Sequence, residues 1–142
     1  MKPRITLITL GVDDLTAALA FYRDGLGLAT DGIIGAEIEN GAVVFFELQA
    51  GLKLALWPRS SLAHDTGLAL SKRNPGVADI SLAHNVNSRE EVDAVMAEVQ
   101  RAGAKVIKPG HETPWGGYIA YFQDPDAHLW EVAWNPQWAV ED

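Results

Sequence analysis

The chain has 142 residues, 48% of them hydrophobic and 21% charged, which is enough apolar material for one domain or two small fused modules without covalent staples. It contains no cysteine, so disulfides, thiolate metal sites and a nucleophilic thiol are excluded. A formal net charge of −8 opposes binding to nucleic acid and to anionic membranes, and no apolar run approaches the roughly 20 residues needed to span a bilayer.

The chain opens with "MKPRITLITLGVDD", meeting two acids before any signal-like apolar stretch develops, which predicts a cytoplasmic protein. Within it, "ITLITLGV" (residues 5–12) is rich in β-branched residues and reads as a strand. A change of period then announces a helix, capped by Asp13 or Asp14, with Leu15, Ala18, Leu19, Tyr22 and Leu26 on its buried face and Gly25 and Gly27 at its end. Three β-like pieces follow: "GIIGAEIE", "AVVFFELQ" and "LKLALWP". Turns at Asn40-Gly41 and Ala50-Gly51 separate them. In "LKLALWP" the leucines alternate with Lys53, Ala55 and Trp57, so the leucine face belongs to the core and the other face turns away from it.

Residues 59–77 mix serine, glycine, proline and charge with little periodicity and read as a connection. The pattern then restarts. "DISLAHNV" (79–86) is a strand, and "SREEVDAVMAEVQRAG" is a helix opened by a capping box of Ser88 and Glu91, with Val92, Val95, Met96, Val99 and Ala102 as its buried stripe. "AKVIKP", "GGYIAYFQD" and "HLWEVAWNP" supply three more strands. The order strand, helix, three strands thus occurs twice, in modules of about 4–58 and 78–136. This predicts an α+β fold of two tandem βαβββ modules whose curved sheets form a half-open barrel, covered on one face by a helix and free on the other to line a small-ligand cavity.

Alternation assigns side chains to the cavity. Trp57 lies with Ala55, Asn85 with Ala83 and Ser81, and Tyr121 with Ile119 and Gln123, while Trp115 comes from the "PWGG" loop. The aromatic rings suit a planar or cationic organic ligand, and Asn85 can orient a carbonyl. Glu131, among these rings, is suited to general acid or base work, to pairing with a cationic group of a ligand, or to a salt bridge with Lys53. His84 falls on the helix side with Leu82 and Val86, His111 and Glu112 on a loop, His128 after a turn, and His64 in the connection. No histidine joins a Ser/Asp set, so no catalytic triad is read.

The stretches "ITLGVDDLTAALAFYRDGLGL" and "TPWGGYIAYFQDPDAHLWEVAWNP" resemble the vicinal oxygen chelate superfamily, which includes glyoxalase I, extradiol dioxygenases and bleomycin resistance proteins. The likeness covers nearly the whole chain. Its turn "DPDAHLWE" carries Ala127 where glycine is usual. The resemblance implies a paired βαβββ fold and a homodimer. In metal-using members a histidine comes from the first strand of each module and a carboxylate from the last. Here those positions fall on Leu7 and Ser81, on Ala55 or Lys53, and on Glu131, so only Glu131 could ligate. Asp79, two residues from Ser81, adds a second carboxylate but no imidazole. The expectation is therefore a protein with no metal and no cofactor that binds a small organic molecule in the manner of a drug-sequestering protein. The alternative is a glyoxalase-type lyase or isomerase using Glu131 for proton transfer.

Overall fold

The computed structural model describes residues 1–141 and separates into two compact units, one spanning Met1–Lys72 and the other beginning at Arg73. The first unit runs β1 (Leu7–Val12), α1 (Leu15–Leu19), β2 (Ile33–Ile34), β3 (Val43–Glu47), β4 (Lys53–Pro58) and α2 (Arg59–Thr66). Its sheet has the order β1-β4-β3-β2, with β1 parallel to β4 and the other pairs antiparallel. The second unit runs β5 (Ser81–Val86), α3 (Arg89–Arg101), β6 (Lys105–Glu112), β7 (Tyr118–Gln123) and β8 (Leu129–Trp134), in the order β5-β8-β7-β6 with β5 parallel to β8.

In the first unit Asp14 caps α1, its side chain accepting from the Ala17 N–H at 3.0 Å. The helix then widens into a π-helical turn over Ala20–Gly25, with the Leu26 N–H reaching back to the Phe21 carbonyl at 3.0 Å. A regular α-helix sends neighbours about 100° apart; the wider turn helps both Phe21 and Tyr22 to be buried, and Tyr22 packs against Phe46 at 5.9 Å between ring centroids. Leu54 and Leu56 complete this core, as the leucine alternation requires.

The predicted strand over 32–39 shrinks to Ile33–Ile34. Gly35, at φ 73°, packs its backbone so close to that of Gly41 that no Cβ fits between them, and the chain turns there through Ile38 instead of extending. The segment read as a plain connection contains the eight-residue α2, closed by Gly67 in the left-handed region at φ 73°. Periodicity missed it because it carries scarcely any apolar stripe. Gly11 lets it lie across β1: Arg59 Cγ comes within 3.0 Å of where a Cβ would stand.

In the second unit Ser88 caps α3 by accepting from the Glu91 N–H at 3.1 Å, and Glu91 Oε2 accepts from the Asn87 N–H at 3.0 Å, one residue before the cap itself. Val92, Met96 and Val99 bury against Ala120, Phe122 and Val132 of the sheet. His84 is exposed although its row contains the buried Val132, because β5 is an edge strand. His111 and Glu112 belong to strand β6, not to a loop; Glu112 holds Arg89 at 2.8 Å, and the Arg89 guanidinium lies 4.5 Å from the centre of the Trp134 ring.

The Asp-Pro-Asp turn is a polar knot. Asp124, buried, accepts from the N–H groups of Asp126 (2.9 Å) and His128 (2.8 Å), and its other oxygen meets His128 Nδ1 at 2.7 Å. Arg73 donates to the carbonyl and the carboxylate of Asp126, and Gln123 Nε2 donates to the Pro75 carbonyl at 2.8 Å, so the start of this unit is laced onto its own turn. Ala127, in the position usual for glycine, has φ 65° and so sits in the left-handed region.

Candidate functional site

Each sheet has one face covered by its long helix and one turned away from it, here termed the open face. Strand register fixes what the open faces carry. In the second unit Tyr121 pairs with Glu131 across β7 and β8, and Glu131 pairs with Ala83 on β5. The Tyr121 hydroxyl donates to Glu131 Oε2 at 2.9 Å, and both residues are half-buried. Burial, and then the hydrogen bond and negative charge of Glu131, push the Tyr121 hydroxyl above the ordinary tyrosine pKa. Tyr121 therefore works through its hydroxyl as well as through its ring. Asn85 is on the same face one row further on, level with Ala133 and Ile119.

Trp115 is half-exposed at the tip of the turn between β6 and β7, where the Thr113 carbonyl and hydroxyl accept from the N–H groups of Gly116 and Gly117. Its ring folds over Gly117, and a Cβ there would collide with it. Glycine at this position is thus the seat of Trp115.

In the first unit β1 and β4 run in the register Leu7↔Lys53 and Thr9↔Ala55, the same register that Ser81↔Leu129 and Ala83↔Glu131 make in the second. Ala55 is therefore the counterpart of Glu131, which decides between the two candidates, Ala55 and Lys53. Phe45, paired with Ala55, is the counterpart of Tyr121. Lys53 is paired with Glu47 at 2.7 Å, within its own unit. Trp57 stands one row beyond Ala55, its indole N–H donating to the Asn40 carbonyl at 3.1 Å. Leu7, Thr9, Val43, Phe45, Ala55 and Trp57, with Asn40 and Gly41, surround a pocket of about 280 Å³. Sequence reasoning found Trp57 but missed Phe45, Thr9 and Asn40, since only the register between strands places them beside it.

The donor set does not suit a divalent metal ion. Leu7 and Ala55 are hydrocarbon, Ser81 offers a neutral hydroxyl, and Glu131 is already engaged by Tyr121. Among the described residues no group of three or more His, Asp or Glu side chains is placed to hold a metal ion. Nor is any helix among them long and apolar enough to cross a membrane.

Two four-stranded sheets with helices, built by a repeated βαβββ order, define the class of fold to which glyoxalases and bleomycin resistance proteins belong. Residues 4–132 match the model of the Glyoxalase/Bleomycin resistance protein/Dioxygenase superfamily, and the chain belongs to that superfamily. A glyoxalase-related enzyme from Fulvimarina pelagi is 34% identical and superposes with a TM-score of 0.82 over 98% of this chain and 93% of its own. A lactoylglutathione lyase from Agrobacterium tumefaciens is 26% identical, with a TM-score of 0.68 over 97% and 98% of the two chains. The uncharacterized protein YraH of Bacillus subtilis is 27% identical over 130 residues, which cover 91% of this chain and 96% of that one.

Proposed function

We propose that the protein is a metal-independent member of this superfamily that binds a small organic molecule on the open faces of its sheets. The observation that carries this reading is the makeup of the matched row: Tyr121 and Glu131 in one unit, Phe45 and Ala55 in the other. The resemblance to metal-using members implies a coordinating carboxylate on the last strand of each module; here one row offers a hydrogen-bonding pair and the other offers carbon. Each face can hold a ligand by itself, the first unit's by shape and apolar contact and the second unit's by a carboxylate that accepts from a donor or a cationic group. This is the chemistry of sequestration, in keeping with the bleomycin resistance branch of the superfamily.

A thermal-shift screen after dialysis against a chelator tests it, with planar cationic aromatics and small 2-oxo aldehydes as the panel. Chelation is expected to leave the melting temperature unchanged and at least one panel compound to raise it. A melting temperature that falls on chelation and returns with nickel or zinc would overturn metal independence.

A second reading is favoured by the 2.9 Å hydrogen bond itself. Glu131 could take the proton from a hydroxyl-bearing carbon next to a carbonyl and return it to the carbonyl carbon, while the hydroxyl proton passes to the former carbonyl oxygen, an isomerisation in which Tyr121 holds the carboxylate in place. Deuterium from solvent appearing in the 2-hydroxy thioester formed from the hemithioacetal of a thiol and a 2-oxo aldehyde, and lost in Glu131→Gln, is the signature that would select this reading over binding alone.

A further inference from the structure

We propose that the pocket on the open face of the first unit is a subsite for an uncharged, flat aromatic ring; this names the ligand class and rests on the small-molecule reading above. None of the side chains around it is ionisable. A cationic ring entering it would leave water and gain no counter-charge there, whereas a neutral ring gives up little hydration and gains contact. Lys53 and Glu47, which neutralise each other at 2.7 Å, and Asp31 line an adjoining hollow that shares Phe45 with this pocket, and none of the three lines the pocket itself.

The wall of the pocket is set before any ligand arrives. The Trp57 indole is held by the Asn40 carbonyl, and Asn40 has φ 56°, a left-handed turn conformation that asparagine tolerates better than most residues. The Ser61 hydroxyl, buried on α2, holds the Asn40 side-chain oxygen at 3.3 Å. Trp57 therefore has its polar atom satisfied by the pocket's own wall and its ring left for stacking, with Phe45 as a second aromatic surface. A space of about 280 Å³ falls at or just below the roughly 300–1,000 Å³ of drug-sized sites, so the fit is to one or two fused rings.

The test compares quinoline with N-methylquinolinium at mildly alkaline pH, where the first is neutral and the second is a permanent cation of nearly the same shape. The indole N–H resonance of Trp57, identified among the signals of the five tryptophans by its loss in Trp57→Phe, reports occupancy. Quinoline is expected to shift that resonance and to bind about tenfold or more tightly than the cation. Trp57→Ala should weaken quinoline by a similar factor. Thr9→Phe, which fills the pocket from an exposed strand position, should do the same while keeping the native melting temperature. Equal or tighter binding of the cation overturns the proposal. Quinoline affinity unchanged in both Trp57→Ala and Thr9→Phe also overturns it, while leaving small-molecule binding intact. Failure of quinoline alone, with other compounds stabilising the protein, has the same meaning; failure of every compound removes both readings.

Discussion

The Tyr121 hydroxyl and the Glu131 carboxylate meet at 2.9 Å on the face of the second sheet that α3 does not cover. The pair is formed by neighbours on adjacent antiparallel strands, so backbone register brings the two side chains side by side. A carboxylate held this way keeps one oxygen bonded to protein and has a second for a ligand.

The first prediction concerns titration. Burial and Glu131 together hold the Tyr121 hydroxyl protonated beyond the ordinary tyrosine range, so in alkali the unfolded chain gives up this proton before the folded one does. The stabilisation is fully present below the ordinary tyrosine pKa and is lost as pH rises from that value toward the folded one. Absorbance titration of the phenolate should show one tyrosine ionising earlier in Glu131→Gln than in the native protein, though still late because burial remains. Tyr121→Phe should remove this step from the alkaline unfolding profile.

Ala127 supplies the second. Its φ of 65° places a Cβ in the left-handed region, which costs about 1–2 kcal/mol, partly offset by the greater unfolded freedom of glycine. Ala127→Gly should therefore stabilise the protein by about 0.5–1 kcal/mol, read from the urea midpoint at unchanged slope. A loss of stability would show that the neighbouring side chains depend on that methyl group.

The third follows from the knot at Asp124. Replacing it with alanine leaves the Asp126 and His128 N–H groups and His128 Nδ1 without their acceptor in a buried turn. The expected cost is about 3 kcal/mol, of the order of one or two unsatisfied buried groups. Asp124→Asn, which retains an acceptor oxygen, should recover part of it. Hydrogen exchange should localise the loss to residues 124–128.

A fourth prediction tests the cap of α3. Ser88→Ala removes the acceptor for the Glu91 N–H and should cost about 1 kcal/mol, and Ser88→Asp should restore most of it. Equal stability of all three proteins would mean that the Glu91 bond to Asn87 anchors the helix start unaided.

Much of this architecture was legible in the residues. The leucines of β4, the caps at Ser88 and at Asp14, one of two candidates with Asp13, and Val92, Met96 and Val99 of the α3 stripe are local signals, each set by a period or a single side-chain bond, and the structure reproduces them, while Val95 and Ala102 of that stripe are only half-buried. What escaped was non-local or compensated. The helix over Arg59–Thr66 carries little apolar stripe, so period could not find it, and the shortness of β2 depends on two glycine backbones meeting. In the candidate site, alternation placed Tyr121 and Glu131 on their face but could not say that they bond, and it could not find Glu47 beside Lys53 because the register of β3 against β4 lies outside any one strand's pattern.

The identical register of β1 with β4 and of β5 with β8 makes the two units a comparison already carried out within one chain. One copy of the rung bears tyrosine and glutamate, the other phenylalanine and alanine, and both sheets are formed. The chemistry of that rung can change without the scaffold's consent, so a redesigned ligand specificity can be written into either half while its helix-facing rows are left untouched.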